Sequence, residues 1–177
     1  MVLITLALAA FLIILDQVTK LLIVKNFDIG EIKEIISIGS QKIFSITHVR
    51  NSGAAWSIME GKTIILIIFP IIIVGIILFL LFKGKITGKL ECISYSLIIA
   101  GGIGNLIDRI RLNEVIDFIK WEVFSFPVFN VADICIVVGA ILACVCYIFF
   151  SEDNIKDKKE AVTAVSGNSD KTESTDE

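Results

Sequence analysis

Apolar residues in this chain run in long blocks instead of recurring at every third or fourth position. Thr63–Phe82, TIILIIFPIIIVGIILFLLF, is a stretch of 20 residues without a charge. About 20 helical residues span the roughly 30 Å hydrocarbon core of a bilayer. Pro70 and Gly75 inside the block would weaken a soluble helix but are tolerated in a membrane one. A second block covers 2–24, apolar to Leu15 and then interrupted by Asp16, Gln17, Thr19 and Lys20. A third covers 90–108, with Glu91 at its start and Asn105 and Asp108 near its end. A fourth covers 130–150, with Asp133 near its start. The pattern predicts an all-α integral membrane body of four transmembrane helices. Residues 35–49, IISIGSQKIFSITHV, are rich in β-branched side chains and broken at Gly39-Ser40, which predicts a hairpin or two short strands. From Ser151 onward the chain is rich in Ser, Asp, Glu and Lys and nearly free of large apolar residues. The chain therefore divides into a membrane domain, 1–150, and a disordered acidic tail, 151–177, on the cytoplasmic side.

Composition narrows the class. The chain is 55% hydrophobic and 20% charged, against roughly 45–50% and about 25% in average soluble domains. Of 16 basic and 19 acidic residues, the tail holds 4 and 8, so the net charge of −3 belongs to the tail and the body is near neutral. No basic field for nucleic acid exists. The first block lacks a basic leading region, and Ala7-Leu8-Ala9 follows too short an apolar stretch to be a cleavage site, so it reads as a retained span. Four spans put both termini on one side. The loop 83–89 carries Lys83, Lys85 and Lys89 and no acid, whereas 26–61 mixes both signs. The purely basic loop marks the cytoplasmic side. Both termini are thus expected inside, with 25–62 and 109–129 outside.

Cys92, Cys135, Cys144 and Cys146 all fall inside predicted spans at spacings that match no zinc, redox or disulfide motif. The single His48 builds neither a metal site nor a triad alone and reads as a loop residue.

The polar residues inside the spans carry the chemistry. A charge at membrane depth costs several kcal/mol, so it faces a cavity or a partner. The zigzag of four spans places the end of the first (Asp16, Lys20), the end of the third (Asn105, Asp108, Arg109) and the start of the fourth (Asn130, Asp133) on one side. The loops bearing Asn51 and Asp117 lie on that side too. Asp16 and Lys20, at i,i+4, can pair. Asn105, Asp108 and Arg109 share a helix face, with Gly101 and Gly104 allowing close backbone approach. Asp117, in the apolar run VIDFI, and Asp133, with no basic residue within a turn, are the least neutralised carboxylates. Two carboxylates brought together cannot both ionise easily, and such a pair can activate water with one member and protonate a leaving amine with the other. Spacing alone does not exclude a pair of Asp108 and Asp133. Each feature also has a plain structural reading: an ion pair at a span end, glycine packing, a turn asparagine. Buried carboxylates also line proton or ion paths, but a path must cross the membrane, and the opposite halves of these spans are almost purely apolar. A non-enzymatic scaffold would not need two unpaired aspartates.

Five motifs occur in order: Asp16-Gln17-Val18-Thr19-Lys20; Asn51-Ser52-Gly53-Ala54-Ala55-Trp56-Ser57; Gly101-Gly102-Ile103-Gly104-Asn105-Leu106-Ile107-Asp108-Arg109; Val115-Ile116-Asp117-Phe118; and Phe126-Pro127-Val128-Phe129-Asn130-Val131-Ala132-Asp133. Together they resemble the bacterial lipoprotein signal peptidase (signal peptidase II) family over about residues 1–150. The resemblance implies an intramembrane aspartic endopeptidase of the cell membrane. Such an enzyme removes the signal peptide of a prolipoprotein, cutting before a cysteine that already carries diacylglycerol. It implies Asp117 and Asp133 as the catalytic pair. Asn51, Gly53, Asn105, Arg109 and Asn130 are implied as substrate-binding or supporting positions, as are Asp16, Lys20 and Asp108. It implies four helices with a small β-cradle on the extracytoplasmic face, where the active site lies. No metal or organic cofactor is implied. The expected partners are the diacylglyceryl-prolipoprotein and membrane lipid, with the enzyme working as a monomer.

Overall fold

A computed structural model describes residues 1–53 and 62–149. The apolar blocks form α1 (Val2–Asn26), α2 (Thr63–Phe82), α3 (Lys89–Leu112) and α4 (Val131–Phe149), each long and apolar enough to cross a membrane. The helices α1 and α3 run past their expected ends at 24 and 108. In hydrocarbon every backbone polar group must be satisfied within the segment, which makes helix the default for such runs. Leu3, Ile64, Phe69, Phe79, Ile141 and Phe149 are exposed, an apolar coat suited to lipid and not to water. The expected tail 151–177 and Ala54–Ser57 of the second motif lie outside the described residues.

The central helix is α3. Its small residues Ser94, Ser96, Ala100, Gly101, Gly102 and Gly104 are buried. At one end of the bundle Ser96 Oγ donates to the Thr5 carbonyl at 3.0 Å, and further along Ser94 Oγ donates to the Gly139 carbonyl at 2.8 Å. An apolar cluster of Ala9, Val74, Ile77, Leu81 and Ile99 fills that half. At the other end the glycines decide the packing. A Cβ on Gly101 would run into the Ala132 carbonyl oxygen, and one on Gly104 would stand 2.7 Å from Asp16 Oδ2 and 3.1 Å from the Ala132 Cβ. Only glycine lets α1, α3 and the first turn of α4 meet here.

Three antiparallel strands, β1 (Ile32–Ile38), β2 (Gln41–Asn51) and β3 (Val115–Trp121), form a sheet in the order β1-β2-β3 at this second end. The expected hairpin turns at Gly39-Ser40, where Gly39 has φ of 61°. The extended segment around Asp117 becomes the third strand, with Asn51 opposite Val115 and Val49 opposite Asp117. Asn113, in the left-handed conformation at φ 59°, ends α3 and turns the chain directly into β3, a role asparagine fills more readily than most residues. Backbone bonds between Phe129 and Ile119 (2.7 and 3.0 Å) then pin the segment before α4 against β3. His48 is a buried residue of β2, not of a loop; its Nδ1 lies 2.9 Å from the Phe27 carbonyl, tying the sheet to the end of α1. All four cysteines are free thiols.

Candidate active site

Five elements deliver the polar residues, with Asn51 at the end of β2. The last turns of α1 carry Asp16, Gln17 and Lys20, and α3 carries Asn105, Asp108 and Arg109. The strand β3 carries Asp117, while Asn130 and Asp133 open α4. These side chains sort into two linked groups that differ in what neutralises them.

In the first group Lys20 holds two carboxylates. Its Nζ lies 2.9 Å from Asp16 Oδ2 and 2.8 Å from Asp108 Oδ2, all three residues being at most 2% exposed. Asp16 Oδ1 accepts the Ala132 N–H at 2.9 Å, and Asp108 Oδ2 accepts the Ile116 N–H at 3.3 Å. One ion-paired knot therefore ties α1 to α3, to the start of α4 and to β3. Gln17, quoted in a motif but given no role by the sequence, donates from Nε2 to Asp16, to Asp108 and to the Gly104 carbonyl. The i,i+4 pairing of Asp16 with Lys20 is as the spacing predicts. Asp108 and Arg109, adjacent on the helix, point in different directions: Asp108 turns to Lys20, while Arg109 Nη2 donates to the Gly53 carbonyl at 2.9 Å.

In the second group two carboxylates meet only neutral donors. Asp117 accepts Asn51 Nδ2 on one oxygen at 2.8 Å and Asn130 Nδ2 on the other at 2.7 Å. Asp133 accepts Asn105 Nδ2 at 2.7 Å and the Asn130 backbone N–H at 3.1 Å. In return Asn130 Oδ1 accepts the Asp133 N–H at 2.9 Å. Asn130 and Asp133 thus form a reciprocal cap on the first turn of α4, and Asn130 bridges the two carboxylates. Among the described residues neither Asp117 nor Asp133 is in an ion pair. Burial, followed by the nearby charge of Asp133, pushes Asp117 up to about 7, against the opposing hydrogen bonds from Asn51 and Asn130. Gly53 contributes backbone: its N–H donates to Asn51 Oδ1 at 2.9 Å, fixing the amide that faces Asp117.

Both unpaired carboxylates open on one cavity of about 490 Å³. Asn51, Asn105 and Arg109 line it with them; Asn130 does not, being fully buried behind the pair. The remaining wall is apolar, from Phe126, Pro127 and Phe129 before α4 and from Ile134, Val137 and Val138 on it. Phe126, Pro127 and Phe129 stand in the fifth motif, whereas Ile134, Val137 and Val138 carry no signal in the sequence, because nothing there separates a pocket wall from a lipid-facing side chain. Among the described residues no group of three His, Cys, Asp or Glu side chains is placed to hold a metal ion. A pocket with one apolar wall, an arginine, two asparagines and two carboxylates suits an extended peptide: amides bind its backbone, and a carboxyl pair activates water beside it.

Comparison with known proteins gives a consistent result. A family model described as Signal peptidase (SPase) II matches residues 8–149. A protein of Enterococcus faecalis named lipoprotein signal peptidase is 40% identical over 151 residues, which cover 85% of this chain and 91% of that one. A protein of the same name from Listeria monocytogenes serotype 4a is 41% identical over 159 residues, 89% of this chain and 97% of that one. A solved bacterial membrane enzyme superposes with a TM-score of 0.77 at 34% identity, over 84% of this chain and 90% of that one.

Proposed function

Because this chain belongs to the signal peptidase II family and is a multi-pass membrane peptidase, we propose that it removes signal peptides from diacylglyceryl-modified prolipoproteins by aspartic catalysis, with Asp117 and Asp133 as the pair. The observation that carries this reading is the sorting of four carboxylates, Asp16, Asp108 and Asp117 buried and Asp133 half-buried. Lys20 is ion-paired with both Asp16 and Asp108, while Asp117 and Asp133 keep only amide donors and share the cavity.

The chemistry follows from that arrangement. One carboxylate takes a proton from water as the oxygen attacks the scissile carbonyl. The other, protonated, gives its proton to the carbonyl oxygen; as the C–N bond then breaks, the first carboxyl passes the proton it took from water to the leaving amine and the second recovers its own from the intermediate's hydroxyl, which restores the pair. Asn130 holds both members in register through its amide and its backbone. Arg109 spends one of its five N–H groups on Gly53 among the described residues, and the others can serve a substrate carbonyl. Asn51 and Asn105 stand where the substrate's freed backbone groups need partners. The apolar wall on α4 receives the signal-peptide side chains, and the acyl chains of the lipidated cysteine stay in lipid beside the bundle.

Purified protein incubated with a diacylglyceryl-modified precursor is expected to release a peptide ending at the residue before the lipidated cysteine, read by mass spectrometry. The unlipidated precursor is expected to react far more slowly, because its cysteine lacks the acyl chains that anchor the cleavage site at the membrane face, each CH₂ held in lipid being worth about 0.8 kcal/mol. Equal turnover of the two precursors removes the lipid requirement; no cleavage of either removes the proposal.

A further inference from the structure

The ion-paired knot beside the carboxylate pair does more than tie the elements together. The Lys20 ammonium has three N–H donors. Two go to Asp16 and Asp108, and the third goes to a neutral acceptor, Asn105 Oδ1, at 3.0 Å. An ammonium cannot accept, so the atom that Asn105 turns toward it must be the oxygen. That oxygen also accepts Asn130 Nδ2 at 3.1 Å. With its oxygen claimed from two sides, the Asn105 amide has to present its nitrogen to Asp133 Oδ1, at 2.7 Å. Rotated by half a turn, the same amide would offer Asp133 an oxygen, which only a protonated carboxyl could meet.

We propose that Lys20 is a positioning residue, which locks the Asn105 amide with its N–H toward Asp133 and so keeps Asp133 the ionised member of the pair, ready to take a proton from water. This inference rests on the reading of Asp117 and Asp133 as that pair. The charged groups around Asp133 are Asp16 and Lys20 from α1, Arg109 from α3 and Asp117 from β3, with Asp108 of α3 held on the far side of Lys20.

The test is the pH profile of kcat/KM for the full-length protein on the lipidated precursor. Lys20→Met is expected to lower kcat/KM at neutral pH by about tenfold to a hundredfold, the size of a hydrogen bond to a charged group. The acidic limb should move to higher pH, because the carboxylate of Asp133 loses its fixed donor. Loss of positive charge alone predicts the same shift, so a second variant separates the two causes. In Asp16→Asn/Lys20→Met/Asp108→Asn two negative charges leave with one positive. Charge alone then returns the limb to its wild-type position or below it, whereas amide orientation keeps it raised. A triple variant with a wild-type limb overturns the proposal. Should the triple variant not accumulate, a double-mutant cycle asks the same question: Lys20→Met is expected to cost nothing further in an Asn105→Ala background, and multiplying losses overturn it. Asp117→Asn and Asp133→Asn run in the same assay keep the two levels apart. Activity in those variants removes the pair itself; a wild-type limb in the triple variant beside inactive pair variants removes only the role of Lys20.

Discussion

A carboxylate held by neutral amides behaves differently from one held by an ammonium, and this bundle has two of each at one end. Asp117 is the member whose environment sets the alkaline side of the pH dependence. Its proton is retained to about 7 by burial, so the pair loses its shared proton as pH rises through that value. Cleavage is therefore expected to fall along an alkaline limb near pH 7, dropping about tenfold per pH unit above it; a rate flat to pH 9 contradicts the assignment. The same group makes a stability statement with a definite sign. The folded state keeps a proton that the unfolded chain releases near the ordinary carboxylate range, so stability from this site is lost as pH rises from about 4 to about 7. The thermal midpoint of Asp117→Asn minus that of the wild type should grow over that interval and level off above it, as scanning calorimetry in detergent can show. Much of this was legible in the sequence: Asp117 and Asp133 stand out as carboxylates without basic neighbours, and Asp16 with Lys20 follows from i,i+4 spacing. The capture of Asp108 by Lys20 was not. It depends on two helices approaching side by side, and the adjacent Arg109 is the nearer partner only along the chain.

At the scale of elements, long unbroken apolar runs leave little choice but helix, and β-branched residues around Gly39-Ser40 announce a hairpin. The pairing of β3 with β2 was beyond the sequence. The two strands are joined through two membrane helices, and no local pattern records which strand a VIDFI segment will choose. That pairing nonetheless sets Asn51 beside Asp117. The meeting of α3 with α4 is equally consequential, because it fixes where Asp133 stands. Gly101→Leu should push the first turn of α4 away from α3, since even a Cβ meets the Ala132 carbonyl. Cleavage is expected to fall at least about tenfold, with lower protein accumulation, a cost in the range of overpacking at about 1–3 kcal/mol or more. Gly75→Ala, in α2 where an added Cβ would meet no neighbouring element among the described residues, is the control and should leave both unchanged. Equal effects at the two positions would show that the glycines of α3 are not needed for approach.

For the whole molecule, the polar groups gather at one end of a four-helix bundle and the lysine loop between α2 and α3 lies at the other. We propose that the lysine-bearing end faces the cytoplasm, which puts the carboxylate pair at the extracytoplasmic face, where lipidated precursors present their cleavage sites. After removal of the native cysteines, a cysteine at position 42 should react with an impermeant thiol reagent in intact cells, and one at position 85 should not. Labelling at 85 alone would invert the molecule without separating the polar groups from one another. The most direct measurement is turnover of the lipidated precursor by four purified variants at matched concentration: Asp117→Asn, Asp133→Asn, Asp16→Asn and Asp108→Asn. Asparagine keeps the shape of each side chain but takes no proton from water. Asp117→Asn and Asp133→Asn should each lose about a thousandfold or more, and the double variant should lose little beyond either alone, because both act in one step. Asp16→Asn and Asp108→Asn should keep measurable turnover, with their losses appearing mainly in protein level. Substantial activity in Asp117→Asn together with none in Asp108→Asn would contradict the account and move the catalytic role to Asp108.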